Sequence, residues 1–334
     1  MAYRIRRKER VGTAVQRIAR AQLRAAVRAA RDDSGTVPQE QRVHEVRARL
    51  KRVRAALALV RPRVGRSAAR EERRLREIAK RLARPRDLAV QAHTFRVLGN
   101  RLPPEVPAEV VRQLGRVERQ LRQDLAPDDV ERELLRCARS LRKARRHLGR
   151  WSGAGGRRTV ADGITRSYRK ARRTMRAAAA DPTPERFHGW RKQVKRLWYQ
   201  LRLAGDAVPE LATTLVPKIE RLAELLGQVH DLDCAKATLE LHPTWLGRAG
   251  DRQAVPALLD ERRGVLERES LTLAEAVFAG RARDVRELVA IGWRVWRGKS
   301  PADGESAGEG DGPNGSPSPT NGAAGPPDLR ASSG

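Results

Sequence analysis

Two stretches decide how this chain reads: VHEVRARLKRVRAAL at residues 43–57 and FHGWRKQVKRLWYQL at residues 187–201. On a helix at about 100° per residue, with His44 as zero, Val43, Val46, Leu50, Val53 and Leu57 fall between about 180° and 260°. That stripe is wide enough to face a core. His44, Arg47, Lys51 and Arg54 line the adjoining edge, between about 280° and 360°. The second stretch repeats the pattern, with Phe187, Trp190, Val194, Leu197 and Leu201 in the stripe and His188, Arg191 and Lys195 on the edge. Arg54 is the exception, because Trp198 holds its place.

One offset of 144 residues relates the two stretches and holds beyond them. It matches His44 with His188, Arg47 with Arg191, Lys51 with Lys195 and Arg52 with Arg196. It also carries Arg74 onto Lys218, Leu75 onto Ile219, Ile78 onto Leu222, Leu82 onto Leu226 and Asp87 onto Asp231. A single shift that satisfies separated blocks points to internal duplication. Positions between the matched cations drift, with Glu45 against Gly189 and Arg49 against Gln193. Solvated positions have no reason to match, whereas positions serving one ligand do.

The composition fits helices. The 334 residues are 40% hydrophobic and only 4% aromatic, and good helix formers dominate. Helical stretches are expected over about 12–31, 40–61, 67–83, 87–98, 105–124 and 128–150. After a Gly-rich break, WSGAGG at 151–156, they resume over about 159–178, 183–203, 209–226, 231–240, 252–279 and 282–297. The expected fold is all-α over residues 10–297, with one repeat at about 10–151 and the other at about 157–297. From 298 to 334 the Gly, Pro and Ser content cannot support a core, so that tail is expected to be disordered.

Charge narrows the function. Seventy Lys and Arg stand against 40 Asp and Glu, a formal +30. The tail carries −3 and the preceding 298 residues +33, so the excess belongs to the folded part. GC-rich codon usage would explain why Arg outnumbers Lys, but not the shortage of acids. Such a surplus calls for a polyanion, and the planar guanidinium suits paired phosphate oxygens. Cys137 and Cys234 show no metal-ligand spacing and read as reduced thiols. No apolar run is long enough to span a membrane, and no secretory signal opens the chain, so a cytoplasmic, membrane-free protein is expected.

Other roles are open to the conspicuous residues. His44 and His188 have Arg and Lys at i+3 and beyond, which would repel a divalent metal, so no metal or other cofactor is expected. Asp87 and Asp231 follow apparent breaks and read as helix-capping acids. Arg84 and Arg86, at the same helix start as Asp87, suggest an anion site there; the second copy has Gln228 and His230 instead. The basic runs at 142–147 and 166–173 are read as solvated helix faces or as walls of the same surface. Nucleic acid is the runner-up ligand, but the basic rows lack interleaved aromatics for stacking. A phosphohydrolase would need carboxylate clusters that the basic helices do not contain. No enzymatic activity is expected.

Taken together, HxxRxxxKRxR at 44–54, HxxRxxxKR at 188–196 and the RD and HD pairs at 86–87 and 230–231 resemble the CHAD domain, the conserved-histidine α-helical domain. The resemblance implies two helical bundles about a pseudo-twofold axis, with a basic groove that binds inorganic polyphosphate. By position it implicates His44, Arg47, Lys51, Arg52 and Arg54 in one copy and His188, Arg191, Lys195 and Arg196 in the other. Arg74 and Lys218 would contribute from the following helices. Some members carry a triphosphatase domain marked by ExExK; that motif does not occur here, so a stand-alone binder is expected. Association with polyphosphate granules, chain-length preference and protein partners are left open by the sequence.

Overall fold

The computed structural model describes residues 3–32, 34–100, 102, 106–149, 155–247 and 252–298. The expected tail and most of the 151–156 break lie outside the described residues. Twelve α-helices and two short 3₁₀ turns make up the described part, which contains no strand. In the first half these are α1 (Val11–Arg31), α2 (Gln39–Val64), α3 (Arg66–Arg81), α4 (Ala83–Gly99), α5 (Ala108–Gln123) and α6 (Pro127–Arg146). The second half holds α7 (Gly156–Ala180), α8 (Pro184–Ala204), α9 (Pro209–Thr214), α10 (Val216–Leu241), α11 (Ala254–Phe278) and α12 (Ala282–Trp296).

Each long helix buries one apolar stripe. In α1, Val11, Ala14, Val15, Ile18, Leu23, Ala26 and Ala30 recur at helical spacing and are fully buried. The stripes read from the two duplicated stretches behave as expected: Val43, Val46, Leu50, Val53 and Leu57, then Phe187, Trp190, Val194, Leu197 and Leu201, are all in the core. Helix pairing runs in the same order in both halves. α1 packs on α2 and α6 as α7 packs on α8 and α12, and α4 pairs with α5 as α10 pairs with α11. Corresponding helices also meet across the centre, α2 against α8 and α4 against α10.

One expected break is absent. The segments 209–226 and 231–240 were read as two helices, but α10 runs unbroken from Val216 to Leu241, with a short α9 before it. In the first half the matching stretch does break, between α3 and α4 at Leu82. Pro85 explains the difference. It lacks an N–H, and its ring opposes the carbonyl four residues earlier, so α3 cannot continue through it. Its counterpart 144 residues on is Val229, which lets the helix pass. Asp231 therefore sits inside α10, and Asp87 lies beyond the first turn of α4, so neither caps a helix as expected. Thr183 does cap: its hydroxyl accepts from the Arg186 N–H (3.4 Å), and Pro184 follows at the first helical position.

The fold also begins before residue 10. Ile5 is buried, and its N–H donates to the Leu203 carbonyl (3.0 Å). Tyr3 donates its hydroxyl to the Arg52 carbonyl (2.9 Å) and meets the Tyr199 ring edge-on. The N-terminal segment thus ties α2 of the first half to α8 of the second. Deeper in, the Gln200 side-chain amide donates to the Ala55 carbonyl (3.1 Å). Gly163 of α7 lies so close to α2 that a Cβ there would stand 2.6 Å from Leu59 Cδ1 and 2.8 Å from its carbonyl oxygen. Glycine is what permits that approach.

Arg42 is a structural cation that the sequence reading passed over. Its buried guanidinium pairs with Glu131 of α6 (2.7 and 3.0 Å). It also donates to the carbonyls of Ala29, Ala30 and Arg31 (3.2, 2.8 and 3.3 Å), which closes the C-terminus of α1.

Candidate anion-binding cleft

Where α2 and α8 run side by side, their cationic edges turn toward each other and wall a cleft of about 630 Å³. Arg47, Lys51 and Arg54 project from α2, and His188, Arg191, Lys192, Lys195 and Arg196 from α8. Arg76 and Lys80 join from the end of α3, Lys170 from α7 and His230 from α10. The lining contains ten Lys and Arg, five from each half, and no Asp or Glu. Several anchors hold the walls. Arg47 donates to the Ala79 carbonyl (2.9 Å), and Arg196 donates to the buried carboxylate of Glu72 (3.2 Å). Glu72 also stands 3.7 Å from Arg61 and 3.9 Å from Arg76, so one acid orients three arginines from three helices.

The expected site residues divide. Arg47, Lys51, Arg54, His188, Arg191, Lys195 and Arg196 are brought together in the cleft. Arg86 and His44 lie beside it, close enough to act on each other and on Lys51. Arg52 faces the other way, toward the Tyr3–Tyr199 contact, as its position about 80° from His44 on the helix dictates. Arg74 is held by Glu71 on its own helix (3.2 Å), while Arg84 and Lys218 are exposed and do not line the cleft. The reading missed Arg76, Lys80 and Lys192; Lys170 falls within one of the basic runs singled out as a wall. His230, noted only as the residue replacing Arg86, is a lining group. Arg76 and Lys80 lie i+4 apart on one face of α3, a spacing from which they could have been found.

Crowding of like charges sets the electrostatics. Lys51 opens to solvent at the cleft mouth yet is walled by protein, and burial pushes its ammonium down to about 7, with Arg191, Arg47, Lys195 and Arg86 adding repulsion. Burial and neighbouring cations also lower Lys170, Lys192 and Lys195. The His188 and His230 rings lie 4.1 Å apart. Burial, then nearby cations, pushes His188 down to about 4; burial, then His188, pushes His230 down to about 3. Both are neutral at physiological pH. His44 is lowered as well, by burial and by Arg86.

Beneath the rows, burial raises the carboxyls of Asp87 and Asp231. Arg47 and Arg86 oppose this at Asp87, and Arg191 and Arg86 at Asp231. These two acids lie near the cleft cations from within α4 and α10, instead of capping a helix.

Among the buried nitrogens of the described residues that have no protein partner, Arg54 Nε, Arg191 Nε and His188 Nδ1 belong to residues lining the cleft, while others, such as Trp190 Nε1 and Arg294 Nε, do not. Trp198, which occupies the place of Arg54, supports Lys195 instead: the ammonium lies 4.5 Å from the ring centroid, with Arg202 at 4.7 Å.

The model of the family described as the CHAD domain matches residues 14–240, which is more than half of the chain and runs from α1 to the end of α10. The chain belongs to the CHAD-domain family. A solved structure, the CHAD domain from the plant Ricinus communis, is similar at 14% identity with a TM-score of 0.48, covering 86% of this chain and 94% of that one. No curated protein matches. In this CHAD domain cationic residues of α2 and α8 line one cavity.

Proposed function

We propose that this CHAD domain binds inorganic polyphosphate in the cleft between α2 and α8, without turning it over. The observation that carries the reading is the lining itself, ten cations drawn equally from both halves with no carboxylate among them. A linear phosphate polymer presents one negative charge per unit along a flexible chain, and it would meet cations on both walls. Release of its counterions would make binding tight and strongly salt-dependent. The unpartnered Arg54, Arg191 and His188 nitrogens offer donors for phosphate oxygens.

The competing readings find less support. The single lining aromatic is Tyr199, which is buried against Trp198 and offers no exposed face for a base. A hydrolase acting on phosphate through metals would need carboxylates facing the substrate, and the lining supplies none. No described helix is long and apolar enough to cross a membrane. We place the protein in the cytoplasm, where such a polymer would be stored.

The test is a titration with long-chain polyphosphate, duplex DNA and single-stranded RNA at two salt concentrations, together with phosphate release measured with and without magnesium. Polyphosphate should bind more tightly than either nucleic acid at the higher salt, with no phosphate released. Joint replacement of Arg47, Lys51, Arg191 and Lys195 by Ala should abolish binding with helicity intact. Nucleic acid binding that equals or exceeds polyphosphate binding at high salt overturns the proposal.

A further inference from the structure

A second cavity of about 470 Å³ lies against the same end of α3, between it and α6. Arg81, Arg136, Arg139 and Ser140 line it together with Glu133. Arg136 is neutralised within its own helix by Glu133 (2.6 Å). Arg81 and Arg139 are not: neither forms an ion pair among the described residues. Arg81 donates only to the Ser140 hydroxyl (3.4 Å). The one acid within helical reach of Arg81, Glu77, is taken by Lys80 (3.2 Å). Around Arg139, the places three and four residues away hold Arg136, Leu135, Arg142 and Lys143, with no acid.

Several arginines of α5 and α6 are matched at i±3 or i±4, as Arg112 is by Glu109, Arg122 by Glu118 and Arg132 by Asp129. Two unmatched guanidiniums from different helices are here brought to one pocket beside a hydroxyl. Glu133, the one carboxylate in the lining, is already paired with Arg136, so an oxyanion seated beside Arg81 and Arg139 would supply the countercharge they lack.

The pocket is also placed for a chain already bound nearby. Lys80 lines the main cleft and Arg81 this pocket, so adjacent residues on the last turn of α3 face the two cavities, about 100° and 1.5 Å apart along the helix. The duplication reproduces it only in part. At the 144-residue offset, Arg139 becomes Arg283, but Arg81 becomes Leu225, Arg136 becomes Gly280 and Ser140 becomes Asp284. We infer that Arg81, Arg139 and Ser140 form a second phosphate subsite, which takes up a polyphosphate chain where it leaves the main cleft over the end of α3. This rests on the proposed polyphosphate reading of the cleft, and it makes long chains better ligands than short ones on one side only.

The experiment compares wild type, R81A/R139A and the cleft variant R47A/R191A, each titrated with tripolyphosphate and with long-chain polyphosphate across a salt series. For R81A/R139A the long-chain affinity should fall about tenfold. Its log–log salt slope should become shallower by about 1.4, roughly 0.7 for each phosphate no longer neutralised on a single strand. Tripolyphosphate binding should be unchanged. R47A/R191A should lose both ligands. A long-chain affinity and slope in R81A/R139A equal to wild type would eliminate the subsite, as would an equal loss for tripolyphosphate. If R47A/R191A binds both ligands normally, the cleft reading fails instead, and the two failures are distinguishable.

Discussion

Raising the pH from about 6 to about 9 should weaken anion binding through Lys51 while making the unliganded protein more stable. In the free protein, burial and four surrounding cations bring this ammonium from 10.5 to about 7, so it is largely neutral at pH 9. A phosphate chain in the cleft pairs with the ammonium, offsets the burial and the repulsion, and returns the amine toward its ordinary value. Binding then takes up a proton, and complete recovery would cost about tenfold in affinity for each pH unit above 7. Because solvent reaches Lys51 and screens part of the repulsion, a loss of about tenfold over the whole range is expected. Stability runs the opposite way. Between about 7 and 10.5 the unfolded chain binds more protons at this site than the folded one, so this contribution to unfolding free energy rises with pH. The assay is calorimetric titration with polyphosphate across pH, in paired buffers of different ionisation enthalpy, beside K51R, whose guanidinium stays charged. Wild type should show proton uptake and a declining affinity; K51R should show neither. If wild type weakens no more than K51R, the electrostatic description of the cleft is wrong.

Further outcomes follow from the histidines and the packing. Unfolded histidine takes a proton near 6.5, while folded His188 and His230 wait until about 4 and about 3, so stability should drop as pH falls through that window. H188N/H230N should show a shallower decline in Tm between pH 7 and 4. Gly163→Ala should destabilise the fold by about 1–3 kcal/mol in chemical denaturation, because the new methyl group meets the Leu59 backbone, which cannot give way. Arg42→Ala should cost about 2–4 kcal/mol, since it leaves the last carbonyls of α1 and the Glu131 carboxylate without their donor. Polyphosphate affinity of that variant should be unchanged in the folded protein.

Much of the architecture was legible because it is periodic. The stripes of α2 and α8 are marked by five apolar residues each, and every one is in the core. The matched cations beside them were findable because the chain carries its own second copy for comparison. What escaped were effects of tertiary placement. Arg52 matches Arg196 in sequence, yet Arg196 reaches the cleft while Arg52 lies near the Tyr3 and Tyr199 hydroxyls. Arg76 and Lys80 share one face of α3 by their spacing, but which cavity that face lines depends on how α3 packs against α2 and α6. The expected caps fail for different reasons: α4 begins at Ala83, ahead of Pro85, which leaves Asp87 past its first turn, and Gly227 does not interrupt α10, which leaves Asp231 inside it.

The seam between the halves has a consequence for kinetics. Gly163 against Leu59, Gln200 on the Ala55 carbonyl and the Tyr3–Ile5 strap bind α2 to the second half without slack. Jaws that open to swallow a ligand need a hinge, and none is available across this join. The receptacle is a fixed trough, so capture should proceed at a rate governed by long-range attraction and ionic strength rather than by waiting for the protein to move.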